Sequence, residues 1–379
     1  MKKRNLIYLL ALCCLPLKTI YAQIPTDKLL AGLQAIADEY KAVGVAVVVV
    51  KDNKPVYSQA IGYKNVDTKE ALSTQDLFRI ASISKSFSAT AVMQLVEQGR
   101  LNLNDDVSNL IGFQVRNPKF PTTPITLRML LSHTSSINDS NGYFDFDVIN
   151  PATNAEWAKS YNAIQPGEGY MYCNLNFNMI GAILERVSGM RFDTYIKKMV
   201  LNPLGLQAGY CVDSLDSKRF ATLYEYESGL FKAQPAAYTP RREDIEKYIL
   251  GRSTPIFSPT GGLKISAEDL ASYMRMHMNY GSAEGKQLIS TASAQLMQQP
   301  LTTEEGYGLA LTVTDKMVPG VSLVGHTGSA YGLYSTMFFN PTEKYGFVVV
   351  TNGCVASYEN GFVRLSAKIV NYLYTNFIE

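Results

Sequence analysis

The sequence predicts an α+β fold in which one antiparallel sheet is built from strands at both ends of the chain. Near the N-terminus, residues 43–50 form an apolar run rich in β-branched side chains, and residues 55–62 follow it after a polar turn. Three more strand-like runs, at 321–327, 333–340 and 345–352, lie near the C-terminus. Helical patterns dominate the region between them, so we expect a mainly helical lobe inserted into the sheet.

Helices are expected to flank this sheet. Residues 26–42 and 360–377 carry apolar side chains at helical spacing, which predicts one amphipathic helix at each end of the chain. We assign residues 23–80 and 300–379 to a sheet lobe and residues 81–299 to a helical lobe. Ligand sites often lie between such lobes, so their junction is the expected place for an active site.

The composition is that of an ordinary globular protein. Of 379 residues, 46% are hydrophobic and 18% are charged, and the net charge is +2. The first 22 residues hold four basic and no acidic side chains, and without them 31 basic and 33 acidic groups give a net charge of −2. A nearly neutral chain gives no electrostatic reason to expect a nucleic acid or an anionic membrane as partner.

The N-terminus has the pattern of an export signal. Basic residues 2–4 precede a short apolar run, residues 6–17, and Ala22-Gln23 offers a small residue before a cleavage point. The apolar run is too short for a stable membrane span. We therefore expect residues 1–22 to be a signal peptide, and the mature domain, residues 23–379, to be exported to the periplasm or secreted.

The cysteine and histidine content argues against a disulfide framework and against a metal site. Three cysteines remain after the expected cleavage; they cannot all pair within one chain, and we expect none to pair. No cysteine–histidine cluster has metal-ligand spacing, so no metal or other cofactor is expected. Cys13 and Cys14 leave a lipidated N-terminus open, and His277 is expected on a helix surface.

Ser82-Ile83-Ser84-Lys85 is the only Ser-x-x-Lys sequence in the chain. Residues three apart share one face of a helix, so the Ser82 hydroxyl and the Lys85 amine can meet. Serine is a weak nucleophile until a base takes its proton, and a desolvated lysine can be that base. The alternative is a helix N-terminus at which Ser82 is a cap and Lys85 reaches water.

Two more polar motifs follow in order along the chain. Tyr172-Cys173-Asn174 lies where a Pro-Gly loop enters a predicted helix, and His326-Thr327-Gly328-Ser329 lies on a predicted strand. Each motif is weak evidence alone, because Tyr-x-Asn recurs elsewhere in the chain and a strand histidine is often a hydrogen-bonded core residue. The three motifs in order, with their flanking sequences, form a far more specific pattern.

With these motifs the chain resembles the serine β-lactamase and penicillin-binding-protein family, in the branch of class C β-lactamases, D-aminopeptidases and related esterases and transesterases. That family carries Ser-x-x-Lys, Tyr-x-Asn and Lys/His-x-Gly in this order. Segments 125–136 and 166–189 and the pair Gly261-Gly262 also match, and the resemblance covers residues 26–377. It implies a β-lactamase/transpeptidase-like fold. No Gly-x-Ser-x-Gly elbow occurs in the sequence, which argues against an α/β-hydrolase.

The resemblance implies a serine acyl-enzyme mechanism. Ser82 would attack an acyl carbonyl, and Lys85 and Tyr172 would manage its proton, with either of them as the base. A free tyrosine titrates near ~10, so Tyr172 needs a cationic neighbour such as Lys85 or His326 to act as a base near neutral pH. The backbone N–H groups of Ser82 and Ser329 would stabilise the oxyanion.

The resemblance also implies substrate contacts. Asn174 would hold Lys85 and the substrate amide, and Gly328 would let the substrate backbone approach the strand. His326 stands where β-lactamases usually have the lysine that binds the substrate carboxylate, and a mostly neutral histidine weakens that contact. Strong β-lactamase activity is therefore not expected. Cys173 is expected to pack as a small hydrophobe.

These roles predict an exported serine hydrolase or acyltransferase that passes an acyl group from an ester or amide to water, an alcohol or an amine. A D-Ala-type cell-wall peptidase or weak β-lactamase is the second hypothesis, and a non-catalytic acyl-binding sensor is the third. The expected partners are a small-molecule or peptide acyl donor and an apolar alcohol acceptor, and we expect a monomer. Aromatic residues of two loops form either a substrate wall or ordinary packing: Tyr143, Phe144, Phe146, Trp157, Tyr161, Tyr224 and Tyr226.

Overall fold

A computed structural model describes residues 26–303 and 305–379 of the chain. The expected signal peptide, with Cys13 and Cys14, lies outside the described residues. Within the described ranges, no helix is both long and apolar enough to cross a membrane. The same part of the chain has no group of three or more His, Cys, Asp or Glu side chains arranged to hold a metal ion.

The strands gather mainly at the two ends of the described chain. Their bounds are β1 Gly44–Lys51, β2 Lys54–Asn65, β3 Glu70–Ala71, β4 Phe78–Arg79, β5 Tyr224–Glu227, β6 Leu230–Ala233, β7 Lys264–Ile265, β8 Ser282–Ala283, β9 Lys286–Gln287, β10 Thr312–Val318, β11 Val321–Ala330, β12 Leu333–Asn340, β13 Tyr345–Thr351, β14 Tyr358–Glu359 and β15 Phe362–Val363. Seven of them form one sheet in the order β10-β11-β12-β13-β1-β2-β3. The prediction of one antiparallel sheet drawn from both chain ends is confirmed, and the other eight strands of the described residues pair in four two-stranded sheets.

Strand β1 shows why the two chain ends combine. It pairs antiparallel with β2 on one side and with β13 on the other, where Val45 lies opposite Thr351 and Val50 lies opposite Gly346. Its side chains at 46, 48 and 50 join the core shared with the helical lobe, whereas those at 45, 47 and 49 join a second core on the opposite face. Because both faces are covered, the strand is apolar throughout instead of alternating.

Helices cover both faces of the sheet. Their bounds are α1 Thr26–Glu39, α2 Ser84–Glu97, α3 Val107–Ile111, α4 Leu127–Leu131, α5 Asn174–Ser188, α6 Phe192–Ile196, α7 Arg242–Glu246, α8 Ala267–Met278, α9 Thr291–Gln298 and α10 Arg364–Phe377. Helices α1 and α10 pack together on one face, and α8 packs against β1, β12 and β13. The expectation that His277 of α8 lies on the helix surface is wrong, because α8 packs against the sheet and His277 is fully buried. Its Nε2 shares a 2.9 Å hydrogen bond with the Tyr273 hydroxyl.

Helix α2 forms the centre of the helical lobe. Residues 84–95 are all buried, and the helix packs against α5 and α6. Ser82 lies just before it, in the 3₁₀ turn Ala81–Ile83, and strands β11 and β12 contact this turn. The sheet and the helical lobe therefore meet at Ser82.

Candidate active site

The three sequence motifs meet at the junction of the sheet and the helical lobe. Ser82 precedes α2, Tyr172 and Asn174 lie at the start of α5, and His326 lies on β11. Lys85, a further residue of this set, lies buried behind Ser82. A cavity of about 520 Å³, here called the Ser82 cavity, is lined by the other predicted site residues: Ser82, Tyr172, Asn174, His326, Gly328 and Ser329.

The turn that carries Ser82 has an unusual backbone. Ala81, the residue before it, has a φ of +51°, in the left-handed region that costs an L-residue about 1–2 kcal/mol. Neighbouring segments hold this turn: Ser335 Oγ donates to the carbonyl of Ile80 at 2.7 Å, and the Ile80 N–H donates to the carbonyl of Leu263 at 3.0 Å. Such strain persists only where the surroundings impose it, and it is frequent at functional sites.

Lys85 is completely buried beside Ser82. Its Nζ lies 3.0 Å from Ser82 Oγ, 2.9 Å from Asn174 Oδ1 and 3.0 Å from the carbonyl oxygen of Thr260. Burial lowers the pKa of Lys85 to about 7, and the negative charge of Asp139 opposes this shift. The alternative in which Lys85 reaches water is wrong, because the residue has no exposed surface.

The partners of Lys85 determine the directions of its hydrogen bonds. Asn174 Oδ1 and the Thr260 carbonyl can only accept, so they take two N–H bonds of Nζ. In the neutral amine, both N–H bonds are used in this way, and the lone pair of Nζ faces Ser82, whose hydroxyl can donate to it. With a pKa of about 7, Lys85 populates both the neutral and the charged form near neutral pH. The neutral form has the geometry required of a general base for Ser82.

Tyr172 lies against Lys85 at the edge of the Ser82 cavity. Its ring centroid is 4.7 Å from Lys85 Nζ and 4.4 Å from the ring of His133. Burial raises the pKa of Tyr172, and a hydrogen bond with Ser82 opposes this effect. Tyr172 nevertheless keeps 37% of its surface exposed, so water from the cavity moderates the shift. A tyrosine that retains its proton near neutral pH is suited to donating it.

Asn174 is oriented from both ends of its side-chain amide. Its Oδ1 accepts hydrogen bonds from Lys85 Nζ and from Thr260 Oγ1, the latter at 2.8 Å. Its Nδ2 donates to Asp139 Oδ2 at 3.0 Å. The amide oxygen therefore faces Lys85, and the contact that the resemblance implied between Asn174 and Lys85 is present.

Burial keeps His326 neutral, and its hydrogen-bond partners fix which ring nitrogen carries the proton. Its Nδ1 lies 2.5 Å from the carbonyl oxygen of Thr327 and must donate to it, so Nε2 accepts from the Tyr307 hydroxyl at 3.0 Å. Burial, and after it the charge of Lys85, lowers the pKa of His326 to about 4. His326 therefore presents neither a positive charge nor a free N–H group to a substrate carboxylate.

Gly328 lets strand β11 approach the turn that carries Ser82. A Cβ atom at this position would lie 2.2 Å from the Ile80 carbonyl oxygen and 3.0 Å from the Ser82 amide nitrogen. The close approach seen here is thus to the protein's own backbone. Ser329, the next residue of β11, is exposed at the Ser82 cavity and pairs with Tyr334 of β12. The oxyanion role of the Ser82 and Ser329 amides stays a prediction.

The aromatic residues singled out in the two loops divide between substrate wall and packing. Tyr143 and Phe144 line the Ser82 cavity. The other five pack elsewhere: Phe146, Tyr161 and Tyr224 are buried, Trp157 packs against the core, and Tyr226 contacts Phe231. A second cavity of about 590 Å³ adjoins the first and shares Tyr172 and His326 with it. Open space is therefore available on both sides of Tyr172.

Three residues that organise the site were not singled out from the sequence: Asp139, Thr260 and Tyr307. Thr260 lies beside the matching pair Gly261-Gly262, and Asp139 follows the matching segment 125–136. The position of both residues next to sequences that match the family could therefore have marked them as candidates. Their contacts are not local, since Thr260 lies 175 residues from Lys85. His133 also supports the site, because its Nδ1 accepts the N–H of Cys173 at 3.1 Å.

Comparison with known proteins identifies the family. The family model described as Beta-lactamase matches residues 27–361, so the chain belongs to the β-lactamase family. Penicillin-binding protein 4 of Amycolatopsis lactamdurans is 29% identical over 343 residues, which cover 85% of this chain and 84% of that protein. Protein flp of Staphylococcus aureus (strain MRSA252) is 26% identical over 338 residues, which cover 87% of this chain and 63% of that protein. The chain thus spans less than two thirds of the length of protein flp.

Solved structures share the fold. The octameric penicillin-binding protein homologue from Pyrococcus abyssi has a TM-score of 0.74 and 27% identity, over 93% of this chain and 77% of that chain. EstCE1, described as a hydrolase with promiscuous acyltransferase activity, has a TM-score of 0.70 and 20% identity, over 92% of this chain and 99% of that chain. D-amino acid amidase from Ochrobactrum anthropi SV3 has a TM-score of 0.69 and 18% identity, over 92% of this chain and 98% of that chain. The predicted family and fold class are confirmed.

Proposed function

We propose that the protein is a serine acyl-enzyme hydrolase or acyltransferase that acts on ester or amide acyl donors. The observation that carries this proposal is the 3.0 Å contact between Ser82 Oγ and the buried Nζ of Lys85. The pKa of Lys85, lowered by burial to about 7, provides a neutral amine at physiological pH. A nucleophile and a base are thus paired next to a cavity large enough for a small acyl donor.

Acylation of Ser82 begins with proton transfer to neutral Lys85 as Ser82 Oγ bonds to the acyl carbon. Collapse of the tetrahedral intermediate breaks the bond to the leaving group, which takes a proton from Tyr172, and Lys85 then returns its proton to Tyr172. The products are acyl-Ser82 and the protonated leaving group. The backbone N–H groups of Ser82 and Ser329 stabilise the oxyanion, and each such donor typically contributes roughly 3–4 kcal/mol to the transition state.

The acyl group then passes to water, an alcohol or an amine. The incoming O–H or N–H loses its proton to the same Lys85–Tyr172 pair as it bonds to the acyl carbon, and Ser82 regains a proton as it leaves. The second cavity, beyond Tyr172, offers space for an acceptor larger than water. Tyr143 and Phe144 favour an apolar group on the other side.

The neutral His326 favours acyl donors that lack a carboxylate at the position which β-lactamases clamp. A D-Ala-type cell-wall peptidase is the second candidate, favoured by the similarity to a penicillin-binding protein. We also propose that residues 1–22 are removed on export and that the mature domain acts in the periplasm or outside the cell, as the N-terminal pattern suggests.

The test is intact-protein mass spectrometry of residues 23–379. The protein is mixed separately with a short-chain activated ester, a D-Ala-D-Ala peptide and a β-lactam, and Ser82→Ala is the control. A mass increase with the ester that is absent in the variant supports an esterase or acyltransferase, and added alcohols then distinguish transfer from hydrolysis.

An adduct or turnover with the peptide or β-lactam would instead support cell-wall chemistry. If no donor gives an adduct or turnover, the proposal fails for these three donor classes, and the result points to a narrow acyl donor outside them or to a non-catalytic acyl-binding protein. Turnover that survives in Ser82→Ala would reject Ser82 as the nucleophile.

A further inference from the structure

We infer that Asp139 is a positioning residue for the reaction: it orients the amide of Asn174 and, through that amide, aims the Lys85 amine at Ser82. This inference rests on the proposed function. Asp139 lies in the loop after α4, and its carboxylate collects hydrogen bonds from the start of α5. Its Oδ2 accepts from the Asn174 N–H at 2.8 Å and from Asn174 Nδ2 at 3.0 Å. Its Oδ1 accepts from the Leu175 N–H at 3.0 Å and from Cys173 Sγ at 3.1 Å.

The carboxylate takes the place of a local helix cap. Helix α5 has Cys173 at its N-cap position, which makes no side-chain capping bond, and its first turn contains no acidic residue. Asp139 supplies both the acceptors and the negative charge that a helix N-terminus favours, from a different part of the chain. A cap alone would make Asp139 a contributor to stability and nothing more.

The side-chain contact with Asn174 extends this role into the site. A carboxylate can only accept, so it selects Nδ2 of Asn174 and leaves Oδ1 to face Lys85 and Thr260. If the amide turned over, its NH₂ group would face the N–H bonds of Lys85. The lone pair of the neutral amine would then no longer be directed at the Ser82 hydroxyl.

Asp139 also carries the charge that acts on Lys85. The two histidines facing Lys85 are neutral near pH 7, because burial is the largest cause lowering the pKa of each. Burial likewise raises the pKa of the neighbouring tyrosine and cysteine, which stay protonated. Among the described residues, the titratable groups concerned are His133, His326, Tyr172, Cys173 and Asp139. The carboxylate of Asp139 raises the pKa of Lys85 against the larger effect of burial.

The experiment measures kcat and KM against pH, with the activated ester, for the mature protein and three variants. Asp139→Asn keeps the shape but removes the charge and places an NH₂ group against N–H donors. We expect kcat to fall by roughly 10- to 100-fold, with a smaller change in KM. Losses of this size follow when a residue that orients another functional side chain by a hydrogen bond is replaced, as is known for the partners of metal ligands. The acid limb of kcat/KM is expected to move to lower pH, by up to about one unit. The Asp139 carboxylate stabilises the protonated form of Lys85, so its removal lowers the pKa of Lys85.

Two further variants make the result specific. Asp139→Glu keeps the charge but displaces the carboxylate, so kcat should fall while the acid limb stays in place. Asp106→Asn is the matched control, because the Asp106 carboxylate also caps a helix, as the local N-cap of α3, but has Ser108 and Arg116 as its partners. It should lower the melting temperature and leave both kcat and the acid limb unchanged.

An unmoved acid limb in Asp139→Asn, with loss of rate only in proportion to loss of folded protein, would show that Asp139 is a cap alone. If Asp139→Asn does not fold, full kcat in Asp139→Glu would overturn the inference. Failure of the proposed function is recognised separately, since it appears either as no adduct or turnover with any donor in the wild-type protein, or as turnover that persists in Ser82→Ala.

Discussion

Tyr307 and His326 form a buried pair in which the tyrosine hydroxyl donates to Nε2 of the histidine at 3.0 Å. The histidine uses its other nitrogen to donate to the carbonyl of Thr327. Both ring nitrogens are therefore occupied within the protein, at the position where β-lactamases carry a substrate-binding cation. The pair makes this wall of the Ser82 cavity neutral, which shapes the first prediction.

His326→Lys should raise the rate of acylation by a β-lactam. A lysine would add a cation, and a charged hydrogen bond to a carboxylate contributes about 1.5–3 kcal/mol, or roughly 10- to 100-fold in rate. The measurement is the second-order rate of adduct formation, followed by intact mass. His326→Gln, which adds no charge, is the control. An unchanged rate in His326→Lys would show that a missing carboxylate contact is not what limits β-lactam acylation.

The acid limb of kcat/KM should lie near pH 7. The base must be neutral to accept the proton of Ser82, and the pKa of Lys85 is lowered by burial to about 7, so activity should rise with pH through that region and then level off. His326 does not contribute, because burial lowers its pKa to about 4. Lys85→Arg should be inactive across the range, since a guanidinium does not lose its proton. A limb near pH 4 to 5 would contradict Lys85 as the base.

Burial of Lys85 should make stability depend on pH. Its pKa is about 7 in the folded protein against 10.5 as the ordinary value, so between these pH values the unfolded chain binds more protons. Stability should therefore rise as pH increases from about 7 toward 10. Lys85→Met should flatten this rise and add a few kcal/mol to the free energy of unfolding at pH 7 or below.

The check is denaturant unfolding at pH 6, 7.5 and 9, with Lys54→Met as the control for an exposed lysine. Equal slopes of stability against pH in the wild type and Lys85→Met would mean that Lys85 is not desolvated as the structure indicates. If the slope of stability against pH is also lost in Lys54→Met, the pH dependence comes from surface charge and not from the burial of Lys85.

Gly328→Ala should lower activity by on the order of 100-fold. The added Cβ would lie 2.2 Å from the Ile80 carbonyl and 3.0 Å from the Ser82 amide nitrogen, so the turn that carries the nucleophile must shift. Misplacement by about 1 Å can cost on the order of 100-fold in rate. Gly209→Ala is a suitable control, because its Cβ would meet Leu215 only at ordinary contact distance, 3.4 Å. Acyl-enzyme formation at the normal rate in Gly328→Ala would show that the turn tolerates the methyl group.

The sequence was most informative where one local pattern dominates. The run from Val45 to Val50 is apolar at every position because both faces of β1 are covered. Its alternate side chains are buried in two different cores, as in a central strand of a sheet. Strand β10 was missed because it is a sheet-edge strand, with exposed Asp315 and Lys316 breaking the apolar pattern. The helical spacing of Ser82 and Lys85 predicts an α-helix at Ser82, but Ser82 lies in a 3₁₀ turn. Tertiary contacts hold Ala81, the first residue of this turn, at a positive φ.

The candidate site was predictable as a set of motifs but not as a network. Residues Ser82 and Lys85 are close because of helical spacing, which can be read directly from the sequence. The contacts of Asp139 with Asn174 and of Tyr307 with His326 join segments that no periodicity connects. Whether His326 is charged depends mainly on its burial, which follows from the complete fold.

Because β1 pairs with β13, we expect the site to assemble late in folding. The two strands come from opposite ends of the chain, and such distant pairing must overcome a large loss of chain entropy, so it forms slowly. Ser335 of β12 and Gly328 of β11 support the Ser82 turn, so a chain that has not yet added its last strands lacks that support. Until then β1 exposes one unpaired edge, and partly folded chains are at risk of aggregation through it.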